Sequence, residues 1–264
     1  FRNNSNFILN KIHIIFQLLH NKLMSVNSTV NLTQRFNIVK QEVIYTYQYI
    51  IVYDYLRTII DKDIYKCVIK EKPQYYSVHD INGHLPLEFV MLLKLFNNLL
   101  LPDNIRLTKT TNISELDLYI YNNESVLSTT NQIDWSLFFQ TSEYNCPQYS
   151  KRINCNILED LNYTCNIKND QIEDNIDTDY MSIMLKDLLF SQCNKLPSGQ
   201  HIANRFKLNP IDSELMKTYD SKEALRTNFM LDNTPFLMYV LKESEIFKGG
   251  RTLTGIGGII IAEV

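Results

Sequence analysis

The chain has 264 residues, 45% of them hydrophobic, with 26 basic and 29 acidic side chains and a formal net charge of −3. That length suffices for one large core or two small ones, and no long like-charge block suggests nucleic acid or an anionic membrane as a partner. No run reaches the roughly 18 uncharged apolar residues of a membrane span, so no transmembrane segment is expected. Phe1 and Val264 both read as cuts, which leaves targeting signals outside the reading.

From the N-terminus, Ile8, Ile12, Ile15, Phe16, Leu19 and Leu23 recur at three- and four-residue steps, the spacing of an amphipathic helix of about twenty residues. A polar loop follows. A second long helix is expected over Phe36 to Ile60, with Phe36, Val39, Val43, Tyr47, Ile50, Tyr53 and Leu56 on one face. Its tyrosines suit a core wall whose hydroxyls reach polar partners. Lys72 to Gly83 reads as a loop.

Leu85 to Pro102 is the most apolar helix candidate, with Pro86 near its start, where a missing N–H costs nothing. It is expected to be buried on nearly all sides, with Asn97 and Asn98 inside the apolar run. From Asp103 to Thr178 periodicity fails, and loops, one or two short helices and a small hairpin are expected. Helix returns over Asp179 to Ser191, with Met181, Met184, Leu185, Leu188 and Leu189 inward. Ser198 caps a short helix and Ser221 to Phe229 makes another. Thr234-Pro235 reads as N-cap and first helical residue of PFLMYVLKESEIF, which Gly249-Gly250 stops. Five of the seven glycines fall between Gly249 and Gly258, marking a tight turn before a last helix, GGIIIAEV.

The candidate chemistry is sparse. His13 and His20 lie seven apart on the first helix, whereas zinc-binding pairs on helices usually sit four apart. His79, His84 and His201 are isolated, and Glu88 suits the helix dipole at the start of the apolar helix. Cys67, Cys146, Cys155, Cys165 and Cys193 form no C-x-x-C pair and read as scattered thiols, although the middle three allow one local disulfide. Six N-x-S/T sequons, at Asn3, Asn27, Asn31, Asn112, Asn123 and Asn162, are expected by chance in so Asn-rich a chain. The residues alone indicate a helical globular protein and no reaction.

The order of motifs says more. LLHNKL at Leu18–Leu23, YQYIIVYDYL at Tyr47–Leu56, PLEF at Pro86–Phe89 and IDWSLFF at Ile133–Phe139 follow one another. KLPSGQHIA at Lys195–Ala203, TPFLMYVLKESEIFKGG at Thr234–Gly250 and GIGGIIIAEV at Gly255–Val264 complete the series. In this order the chain resembles the animal-type haem peroxidases, the superfamily of myeloperoxidase and the cyclooxygenases, and especially its bacterial-style members. The resemblance implies an all-α, mainly α-helical haem-peroxidase-like domain over 1–264, truncated at both ends, with a loop-rich insertion around residues 103–178 and the distal-histidine region missing.

Carried over residue by residue, the resemblance places the distal, peroxide-polarising arginine at Arg2, eighteen positions before His20. Ser5 stands where some members carry a haem-esterifying Glu. The family's R-F-G-H run, whose histidine binds iron, reads Leu95, Phe96, Asn97 and Asn98 here. The asparagine that orients that histidine falls at Asp187, and the following R-G-R stretch reads Phe190, Ser191 and Gln192. An amide oxygen is a poor iron ligand and cannot supply the electron density of an oriented neutral imidazole.

Haem is therefore the implied cofactor, with its proximal ligand replaced, and no other metal is expected. One reading is a degenerate relative, weak or inactive as a peroxidase, serving as a binding or structural module. The alternative is an active peroxidase or lipid dioxygenase using hydrogen peroxide or hydroperoxides on a small organic or lipid substrate. A third keeps haem on a shifted histidine, His84 or His201. Family members are often secreted, and the compartment of this chain is left open.

Overall fold

The computed structural model describes residues 7–27, 31–71, 73–76, 83–94, 96, 100–102, 104–110, 112–114, 133–140, 142–143, 145–154, 189–218 and 231–264. They are mainly α-helical and fall into two compact units, Phe1–Asp54 with Leu101–Lys151 and Tyr55–Leu100 with Arg152–Val264.

In the first unit, helix α1 runs Phe7–Val26 and α2 Leu32–Ile50. The second helix starts before the expected Phe36 because Asn31 caps it, its side chain accepting the Gln34 N–H at 3.1 Å. The two helices pack through edge-on rings, Phe16 on Tyr47 and His20 on Phe36. The expected tyrosine wall is not buried. Val39 is fully enclosed, but Tyr47 is 53% exposed and Tyr45 and Tyr49 more so. Packing along one partner helix covers one narrow stripe, and the other rings stay outside.

Strands β1 (Asn104–Arg106) and β2 (Asn112–Ser114) form the expected hairpin, antiparallel with Ile105 opposite Ile113. The free edge of β1 is satisfied by a side chain. The Gln148 amide accepts the Arg106 N–H at 3.0 Å and donates to the Arg106 carbonyl at 2.9 Å. Ile105 and Leu107 join Phe7 in a small core, against which Ile133 and Phe138 pack. Asp134 caps the 3₁₀ turn Trp135–Leu137, accepting from Ser136 N–H and O–H, and these bonds hold its carboxyl below the usual range.

Helix α2 does not simply continue to Ile60. Residues Ile51–Tyr55 form a π-helical turn, with wider hydrogen-bond spacing, before α3 (Leu56–Ile59).

The second unit starts at that point. After α3 comes α4 (Lys62–Lys70), a helix that hydrophobic periodicity did not suggest, capped by Asp61 on the Asp63 N–H at 3.1 Å. Helix α5 (Leu87–Lys94) forms within the apolar segment. It buries Met91 and Leu92 completely, but Leu93 is 43% exposed, so burial on nearly all sides does not hold. Ser191 belongs to a helical turn over 189–193, in which Leu189, expected inward, is 41% exposed.

Helix α6 (Gly199–Arg205) begins as expected, with Ser198 Oγ accepting the His201 N–H, and α7 (Ser213–Thr218) follows. Helix α8 (Phe236–Lys248) stops at Gly249, in the left-handed conformation that glycine adopts at least cost. Helix α9 (Gly255–Glu263) packs on α4, α5, α6 and α8, and α8 also on α5 and α6. Their apolar faces make one core around Tyr239, Phe236, Leu253 and Ile256. The segments expected as helix over 179–188 and 221–229 lie outside the described residues. No described helix is long and apolar enough to cross a membrane.

Candidate functional site

Arg2, Ser5, Asn98 and Asp187, the positions to which the resemblance assigned catalytic and haem-binding roles, lie outside the described residues. The histidines that are described do not converge. His13 is exposed and His20 half-buried on α1 of the first unit, while His84 and His201 are exposed in the second. A separation of seven residues sets His13 and His20 about 10 Å apart along the helix, too far to share one ion. Among the described residues no group of three His, Cys, Asp or Glu side chains could hold a metal ion. Cys67, Cys146 and Cys193 are free and exposed, and Cys67 donates weakly to Glu71, which pushes its thiol pKa up.

The second unit does bring together a buried polar junction. Helix α9 opens with Gly255, and Thr254 before it makes no side-chain cap, so its first N–H groups need an acceptor. Glu243, about two turns along α8 and 5% exposed, supplies it: its carboxyl accepts the Ile256 N–H at 2.9 Å and bonds the Gly257 N–H. The glycine makes room. A Cβ on Gly255 would coincide with the Glu243 carboxylate, and its φ of +48° is one that side chains disfavour.

Burial pushes the Glu243 pKa up to about 8, against the opposing pull of the two N–H groups. On either side, Ser244 Oγ donates to the Thr252 carbonyl at 2.8 Å and Lys242 pairs with Glu245 at 3.5 Å. The charged K-E-S-E inside an otherwise apolar helix, followed by a run of glycines, was the signal for this junction in the sequence.

Two further devices tie sequence motifs together. The Gln200 side chain donates to the Leu231 carbonyl at 2.7 Å and to Thr234 Oγ1 at 2.8 Å, and accepts the Thr234 N–H at 2.9 Å. Thr234 therefore does not cap α8, as its place before Pro235 suggested; Pro235 holds the cap position, and Thr234 is pinned to α6 instead. At the far end of α9, the Glu263 carboxylate accepts three successive N–H groups, of Gln74, Tyr75 and Tyr76, at 3.1, 2.8 and 3.1 Å. Tyr75 then stacks on Phe206 and donates to its carbonyl at 2.6 Å. Asp61 forms an ion pair with Lys248, and its N–H donates to the Leu253 carbonyl at 2.8 Å.

Glu243, Gln200 and Glu263 are engaged mainly by backbone N–H and carbonyl groups of neighbouring segments, which fits them for fixing helix geometry rather than for meeting a substrate. Open concavities lie elsewhere. In the first unit, His13, Phe16, Gln17, His20, Asn21 and Val43 line a groove of 410 Å³. In the second, Arg57, Lys62, Tyr65 and Lys66 line a cleft of 430 Å³.

The two histidines weighed as shifted haem ligands are not enclosed. His84 and His201 both face solvent, and His201 sits in the first turn of α6 with its backbone N–H taken by Ser198. No family model, no curated protein and no solved structure matches the chain.

Proposed function

We propose that the chain is a degenerate relative of the animal-type haem peroxidases, which keeps the helical scaffold as a binding or structural module without peroxidase turnover. The observation that carries this reading is Asn98 at the position of the iron-binding histidine, with Leu95 and Asp187 replacing its neighbours. A carboxamide cannot hold and tune haem iron as an oriented imidazole does, and function follows the site rather than the fold. The exposure of His84 and His201 supports it, because neither is enclosed as an axial ligand would be.

The retained motifs bear on the scaffold half of the reading. KLPSGQ, TPFLMYVLKESEIFKGG and GIGGIIIAEV supply α6, α8 and α9, and the contacts between them run through motif residues: Gln200 with Thr234, Glu243 with Ile256, Gly199 against Tyr239. Such residues would be kept by a chain selected for its architecture alone.

The test is haem titration of the purified chain, including any native sequence that precedes Phe1. Little Soret absorbance and no peroxide-dependent dye oxidation are expected. A stoichiometric Soret band with turnover would overturn the proposal. The pair Asn98→His and Asp187→Asn should raise haem affinity if the surrounding cavity persists.

A further inference from the structure

The cleft between α3 and α4 carries more positive charge than the fold needs. Arg57 comes from α3, and Lys62 and Lys66 come from one face of α4, four residues apart. Like charges at that spacing destabilise a helix. Lys62 also occupies the first position of α4, the positive end of the helix dipole, where a cation is disfavoured. Among the described residues none of the three cations forms an ion pair, and all are exposed. The two acids beside Lys62 in sequence are otherwise placed: Asp61 is engaged by Lys248 and the Asp63 N–H, and Asp63 does not line the cleft.

The remaining wall is the ring of Tyr65, half-buried and packed against the main core, together with the aliphatic stems of the basic side chains. A concave site with three unpaired cations at its rim and an aromatic floor suits a ligand with an anionic head and an apolar body. We infer that this cleft binds a phosphate group carried on an apolar or aromatic body, with Arg57, Lys62 and Lys66 holding the phosphate oxygens and Tyr65 the body. Arg57 presents the fork that matches phosphate oxygens, and the lysines act as point charges. The α4 dipole, adverse to Lys62 in the free protein, then favours the bound anion. None of its lining residues is among the positions discussed for haem, so its test does not depend on them.

Phenyl phosphate serves as the soluble probe, titrated calorimetrically into the full chain beside inorganic phosphate. Vesicles of phosphatidic acid in phosphatidylcholine, against phosphatidylcholine alone, test whether the same group is met on a lipid. Saturable binding of phenyl phosphate, tighter than that of inorganic phosphate, is expected. Lys62→Gln or Lys66→Gln should each weaken it about two- to fivefold, as loss of one exposed charge pair does. Co-sedimentation with phosphatidic acid only, lost in the double variant Lys62→Gln/Lys66→Gln, would assign the phosphate to a lipid headgroup and support the same site. Lys70→Gln, on the same helix but outside the cleft, is the control for diffuse charge. An equal loss in that control, binding indifferent to Lys62 and Lys66, or no binding of any probe would each overturn the inference.

Discussion

The Glu243 carboxylate closes the N-terminus of α9 from the neighbouring helix, accepting the Ile256 N–H at 2.9 Å in the space left by the missing side chain of Gly255. An acid on one helix thus does for another what a local Ser or Asp usually does. Because the acceptor is tertiary, the cap forms only once α8 and α9 have docked, and their packing and this hydrogen bond stand or fall together.

Gly255→Ala is therefore expected to be far more damaging than other glycine substitutions in this turn. A methyl group there meets the Glu243 carboxylate in an already unfavourable backbone conformation, at a cost of about 2–4 kcal/mol. Gly249→Ala, with open space around its Cβ position and only a left-handed φ to bear, should cost about 1–2 kcal/mol. Urea denaturation of both variants decides it, and equal losses would mean that the carboxylate is not seated against Gly255.

The same acid gives the chain a pH dependence with a definite sign. The Glu243 pKa is raised from 4.5 to about 8, so the folded state holds this proton more tightly than the unfolded one. Its contribution to stability is complete below 4.5 and is lost as pH rises through about 8. Glu243→Gln, which keeps an oxygen acceptor for Ile256, should flatten the fall in the urea midpoint across that window. An unchanged slope would place the titration elsewhere.

Asp61 works in the opposite sense. Burial alone would raise its pKa, but the Lys248 ammonium and the N–H groups of Asp63 and Ile64 outweigh it and hold the value below 3.8. That contribution is present above 3.8 and lost as pH falls through the lower folded value, so Asp61→Asn should remove an acid limb and leave the alkaline one.

Gln200→Ala tests the link between α6 and the start of α8. It removes three hydrogen bonds and leaves the nearly buried Thr234 N–H without its acceptor, for an expected loss of about 2–3 kcal/mol. Thr234→Val removes only the hydroxyl and should cost about 1 kcal/mol. Thermal or urea unfolding of the two variants separates the contributions, and a Gln200→Ala variant as stable as the parent would show the fork to be dispensable.

Much of the helical plan was legible because it is encoded locally. The spacing Ile8 to Leu23 gives α1, Ser198 marks the start of α6, and Gly249 ends α8, each through chemistry confined to a few residues. A hairpin was expected in the loop-rich stretch, but its strands at Asn104–Arg106 and Asn112–Ser114 were not located from the sequence. Helix α4 was not legible, although Asp61 and Lys70 stand at its ends: Ile64, Tyr65 and Val68 are too few to set a period. The π turn at Ile51–Tyr55 has no marker of its own in a run of β-branched and aromatic residues.

The candidate site divides in the same way. Asn98, Asp187 and Arg2 were proposed as site positions through the order of motifs alone, and they lie outside the described residues. Glu243 and the Arg57–Lys62–Lys66 cleft became visible only when consecutive helices were packed against each other.

The sequence by itself determined several of the helical segments and where some of them start and stop, because propensity and capping are properties of a few adjacent residues. Only the tertiary structure decided which charges are enclosed, that the acid of α8 caps α9, and that the tyrosines of α2 remain outside. Burial and hydrogen-bond pairing depend on which surfaces meet, and no local pattern specifies that.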